Sequence, residues 1–154
     1  MIIHGADVLA GFSRQWDARN LNGLVPGGLH WIRVPETVNG EPVPSPYATI
    51  RERVTLYEEY PGSKPTFRKD FEVTLMVWSN SGVIDAGDIQ GAIDLAFDRD
   101  LCSAPSGNEL QISGGIVLDL VPTEDDFDND PANKDGKDVV MLTRKWSLVL
   151  QGER

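Results

Sequence analysis

A chain of 154 residues with 40% hydrophobic side chains suits one domain around one core and is too apolar for a disordered tail. Its formal net charge of -10 argues against a tight grip on nucleic acid or on an anionic membrane, since both need clustered Lys and Arg. The single cysteine, Cys102, rules out a disulfide within the chain and reads as a small buried hydrophobe rather than a nucleophile.

The opening "MIIHGADVLAGF" has no basic start and carries Asp7 early, which is not the pattern of a secretory signal. No apolar run approaches the ~18 residues of a membrane span. These features predict a soluble protein of a cytoplasm, or of a particle assembled there. Residues 5–20 then read as a helix: Val8, Leu9, Phe12 and Trp16 recur at helical spacing while Asp7, Arg14, Asp17 and Arg19 face water. Gly23 is expected to supply a left-handed cap. After a Pro-Gly turn, residues 29–34 alternate as a short strand.

"TVNGEPVPSP" holds three prolines and a glycine, which exclude a helix or a central strand. "YATIRERVTLYEEY", the turn "PGSKP" and "TFRKDFEVTLMVWS" predict an antiparallel hairpin. In its first strand Ile50, Val54 and Leu56 share a face that Glu52 interrupts. In its second, Phe71, Val73, Leu75 and Val77 oppose Glu72, Thr74, Met76 and Trp78.

Residues 84–99 are the clearest helix, with a narrow stripe of Ile89, Ala92, Ile93, Ala96 and Phe97. Asp85 is placed to cap it and Asp88 to meet the positive end of its dipole. Gly87 and Gly91 lower its propensity, so packing on a sheet must hold it. "CSAPSGN" is a loop, and "ELQISGGIVLDLVP" is a strand with a bulge expected at Gly114 and Gly115. In the last strand Val140, Leu142, Trp146, Leu148 and Leu150 are in phase. The order predicts an α+β fold: an antiparallel or mixed sheet of about five strands with two helices packed on one face. It forms a single domain over 1–154, with a long acidic hairpin loop at about 122–138.

The charge is concentrated. Residues 84–100 hold five acids against Arg99, and residues 119–138 hold eight acids against Lys134 and Lys137; together they equal the whole net charge. Asp126, Asp128 and Asp130 alternate as calcium ligands do. Yet counting from Asp126 puts Pro131 where an EF-hand loop needs Gly and Lys137 where it needs a carboxylate; counting from Asp128 puts Asn133 and Val139 there. A solvated loop is therefore preferred to a metal site. His4, His30 and one cysteine complete no transition-metal spacing. No nucleophile elbow or phosphate loop is present. Asp94 and Asp98, one helical turn apart, read as surface acids rather than a glycosidase pair. No catalytic residue and no cofactor is predicted.

The order of elements, with "PSPYATI" before the first hairpin strand, "FRKDFEVTLMVWS" before the helix opening "GVIDAGDIQGAI", and the final "RKWSLVL", resembles the tail terminator, or tail completion, proteins of long-tailed bacteriophages. Pro46, Tyr47, Val77, Trp78 and Trp146 occupy the matching places. "ETVNGEPVPS" and the acidic loop are longer than that family leads one to expect.

The resemblance implies a non-enzymatic structural protein of the virion. It implies a ring of six subunits at the head-proximal end of the tail tube, ending tube growth and offering a surface to the head connector. The partners implied are further copies of the chain, the major tail tube protein and the head completion or connector protein. DNA would pass through without specific binding, and no membrane is involved. Arg51, Arg53, Arg68 and Lys69 on the first hairpin are the expected basic partners for a neighbour's acidic helix. Phe127, between Asp126 and Asp128 and near Asp130, is the expected apolar anchor of the loop on a partner. Two other readings stand beside this one: a head completion or adaptor protein of the neck, and a calcium-dependent binding module built on the loop.

Overall fold

The computed structural model describes residues 3–32, 37–79, 83–97, 110–130 and 139–153. Helix α1 spans Gly5–Ala18. Its start is fixed by Asp7, whose carboxylate accepts the His4 N–H at 2.8 Å, satisfying a donor that the helix itself leaves orphaned. Val8, Leu9, Phe12, Gln15 and Trp16 make its buried face. Just past the helix, Asn20 takes the left-handed conformation (φ 53) before a short 3-10 turn over Leu21–Gly23. The cap is therefore Asn20 and not Gly23, because Asn tolerates that conformation.

Strand β1 spans Leu29–Trp31. Thr37–Val38 (β2) and Glu41–Pro42 (β3) form a separate miniature hairpin. It turns on Asn39 and Gly40, both with positive φ, as the tight turn between right-twisted strands requires. The principal strands are β4 (Tyr47–Tyr60), β5 (Thr66–Ser79), β6 (Ile116–Asp130) and β7 (Val139–Glu153), with helix α2 (Val83–Phe97) between β5 and β6. They form one five-stranded sheet in the order β1-β4-β5-β7-β6, with β1 parallel to β4 and every other neighbour antiparallel. The fold is α+β with a mixed sheet.

One face of this sheet carries the core. Ala48 and Ile50 of β4, alternate residues Phe71 to Val77 of β5, Leu120 of β6, and Leu142, Trp146, Leu148 and Leu150 of β7 are buried there. Both helices pack on it. The rings of Phe12 (α1) and Phe97 (α2) stack at 5.1 Å, and each meets the Trp146 indole, at 5.6 and 5.3 Å. Gln15 adds a buried hydrogen bond to the Ala96 carbonyl at 2.9 Å. These contacts supply what the two glycines of α2 take away in propensity. Ile89, Ile93, Ala96 and Phe97 form its buried stripe, as the spacing predicts. The helix begins at Val83, so Asp85 lies inside its first turn and not ahead of it.

Two segments depart from expectation. Residues 110–115 are not sheet: Leu110 and Ile112 are buried, Arg14 of α1 donates to the Gln111 carbonyl at 3.1 Å, and a Cβ on Gly11 would strike Ile112 and that carbonyl. Gly114 (φ 89) turns the chain into β6, so it makes a turn where a bulge was expected. The acidic stretch departs further. β6 continues in register with β7 as far as Asp130 opposite Val139. Residues 122–130, assigned to a loop by composition, are thus paired strand, and residues 131–138 lie outside the described ones.

Candidate assembly surface

The second face of the sheet is covered by neither helix. The register defines its lines across β4, β5, β7 and β6. Tyr47, Trp78 and Met141 form one; Thr49, Met76 and Thr143 the next; then Arg51, Thr74, Lys145 and Glu124; then Arg53, Glu72, Ser147 and Val121. Tyr47 and Trp78 stack at 5.5 Å. Small threonines between long side chains leave Thr49, Thr74 and Thr143 buried although they face away from the core.

Charges on this face are largely paired, two pairs across strands and one, Arg68 with Asp70, along β5. Arg53 reaches Glu72 at 3.4 Å, Lys145 reaches Glu124 at 3.1 Å, and Arg68 grips Asp70 with two bonds of 3.0 and 2.8 Å. That fork holds the Arg68 guanidinium even more firmly charged than usual. At the hairpin tip the Tyr60 phenol donates to Glu58 at 2.7 Å, and this bond raises its pKa above the ordinary tyrosine value. Arg51 donates to the Met76 sulfur at 3.7 Å and meets no carboxylate among the described side chains.

The expected basic set therefore divides. Arg51, Arg53 and Arg68 lie on the open face. Lys69 lies on the opposite one, where its ammonium donates to the Ile3 carbonyl at 2.7 Å and sits over the Tyr57 and Phe71 rings. It ties the N-terminal segment to the sheet. Asp94, read as a solvated acid, is paired at 2.8 Å with Arg144, a cation in the core-facing row of β7. Glu52, which interrupts the apolar row of β4, lies against the first turn of α1, since a Cβ on Gly5 would run into its carboxylate. The helix's partial positive charge favours it there. Phe127, Asp128 and Asp130 belong to β6, opposite Leu142, Met141 and Val139; Asp126 faces Thr143. Their side chains lie outside the described residues. Their backbone is extended and laddered, not the winding loop of an EF-hand.

Among the described residues the sheet has two unpaired edges. On one side β1 ends at Trp31; the next residue, Ile32, donates its N–H to the Ile50 carbonyl and has a φ of 72. That is a strained value for a β-branched residue. Beyond it, no described strand pairs with Arg51–Tyr60. On the other side all of β6 is an edge. Pro122, acidic residues, and register shifts between Val117 and Asp119 and between Pro122 and Glu124 are the devices that keep an edge from pairing indiscriminately. Even so, Ile116, Leu118 and Val121 are exposed along it. Pro122 was the one sequence signal of this edge. The β4 edge carries no signal within its own residues.

No protein-family model matches the sequence, and no curated protein does. Two solved structures align along most of the chain. One, from the virion of a native gene transfer agent particle, aligns with a TM-score of 0.48 at 16% identity, over 98% of this chain and 93% of its own. The other aligns with a TM-score of 0.48 at 15% identity, over 94% and 95%. At these values no function passes from either protein to this one.

Proposed function

We propose that this protein is a structural component of a phage-like virion: a tail terminator that forms a ring of six at the head-proximal end of a tail tube, stops tube growth and joins the tail to the head connector. The observation that carries the reading is that, among the described residues, the sheet has two unpaired edges on opposite sides. Edges that differ in this way favour a head-to-tail contact, and such contacts close into rings when the rotation permits. The likeness of Pro46, Tyr47, Val77, Trp78 and Trp146 to the tail terminator pattern supports a position for that ring at the head-proximal end of the tail. Three of these residues serve the sheet directly: Tyr47 stacks on Trp78, and Trp146 joins both helices. The net charge of -10 suits a conduit through which DNA passes without sticking. No catalytic step is assigned.

The test is tube capping. Purified protein added to polymerising tail tube protein should shorten the tubes and label one end. Binding to the connector without any effect on tube length would favour the neck adaptor reading. Binding to neither would reject both.

A further inference from the structure

We propose that the unpaired edge of β4 in one copy docks antiparallel on the edge of β6 in the next, with Arg51 and Arg53 set against Glu124. This rests on the ring reading and names the contact within it. The register carries Arg51 through Thr74 and Lys145 to Glu124, and Arg53 through Glu72 and Ser147 to Val121. Residues on one such line stand at the same height along the strands. A ring closed by rotation alone keeps every copy at one height. With strands along the ring axis, the basic stretch of β4 therefore meets the Glu124–Val121 stretch of the neighbour's β6.

Direction and surface chemistry agree with this. Successive strands from β4 to β6 are antiparallel, so β4 and β6 run in opposite senses and their meeting continues the sheet. Arg51 meets no carboxylate among the described side chains, and Glu124 is half exposed beyond its bond to Lys145. Both edges also expose aliphatic groups near these heights: Val54 on β4, whose line runs through Phe71 and Leu148 to Leu120, and Leu118 and Val121 on either side of Leu120 on β6. The two register shifts of β6 and the missing N–H of Pro122 confine any new ladder to Asp119–Val121. That confinement fixes the register and leaves affinity to side chains and to closure of the ring.

The experiment uses the full chain and a charge exchange. Arg51→Glu/Arg53→Glu makes the basic edge acidic. Glu124→Lys/Lys145→Glu reverses the β6 edge while keeping its internal ion pair and the net charge. Each variant alone should need about tenfold more protein than wild type to assemble, with wild type itself weakened by salt. An equimolar mixture should assemble within about threefold of wild type, because every contact in an alternating ring is then complementary.

A mixture that stays dissociated while wild type forms rings overturns this contact and leaves the ring standing. Wild type that forms no ring overturns both. Should either variant fail to fold, Arg53→Cys/Val121→Cys in a Cys102→Ser background replaces the exchange. Oxidation should give a covalent ladder ending at the closed ring, and ring-forming protein that yields no ladder overturns the contact.

Discussion

Replacing Asp94 by Ala removes the carboxylate from Arg144, a cation that sits in the core-facing row of β7 between Leu142 and Trp146. The pair is 2.8 Å apart, with side-chain exposures of 14% for Arg144 and 40% for Asp94. Breaking a fully buried pair costs about 3–5 kcal/mol, and an exposed pair is worth about 0–1 kcal/mol. Two unit charges about 4 Å apart at an effective dielectric near 20 attract by about 4 kcal/mol. Part of that is offset by desolvation of the guanidinium and by water around Asp94, so Asp94→Ala should cost about 1–3 kcal/mol. Urea unfolding of wild type, Asp94→Ala, Arg144→Met and the double variant, below the assembly concentration, measures this as a cycle. The double variant should lose at least about 1 kcal/mol less than the sum of the singles, because apolar replacement of both partners leaves no buried charge. Additivity within about 0.3 kcal/mol would refute the claim that this pair fastens α2 to the sheet.

Three further outcomes are expected. Ile93→Asp places a charge in the fully buried stripe of α2 and should unfold a domain whose whole stability is about 5–15 kcal/mol; a dispersed amide NMR spectrum from this variant would refute the packing of that face. The Tyr60 phenol, held protonated by Glu58, should ionise above the ordinary tyrosine range. Its raised folded pKa means its contribution is present at neutral pH and lost only as pH climbs through that raised value, so tyrosinate absorbance in wild type and Tyr60→Phe that showed no late-titrating group would contradict the bond. Replacing residues 131–138 by an Asn-Gly turn should leave the thermal melt within a few degrees while abolishing tube capping; lost folding would contradict the independence of the Asp130–Val139 register from that segment, and retained capping would make the segment dispensable.

The parts legible in the sequence are those governed by periodicity. Alternation in residues 66–79 and 140–150 places Phe71, Val73, Leu75, Leu142, Trp146 and Leu148 on one face, and helical spacing in residues 8–16 and 89–97 identifies the faces that cover it. Legibility fails where a residue's partner is distant in sequence. Composition alone reads Glu124 and its neighbours as solvated loop, yet Lys145 stands across the ladder and carries the strand through them. Asp94 reads as surface because Arg144 lies fifty residues away, in the row of β7 between buried Leu142 and Trp146. Lys69 shares the hairpin with Arg68 but takes the opposite face by strand alternation, where Ile3 and two aromatic rings occupy it. Leu110 and Ile112 alternate like a strand because both are buried, but Ile112 and the Gln111 carbonyl lie against α1 and not in the sheet. The proposed assembly surface is half legible. Its basic residues are visible on the hairpin, while the acidic partner proposed for them shifts from a helix to the β6 edge once strand order sets the heights.

Electron microscopy of the purified protein, paired with native mass measurement, tests the ring directly. Class averages with sixfold symmetry and an open centre, at the mass of six chains, are the expected result. Monomers at every concentration tested, or closed dimers without a central opening, would contradict it.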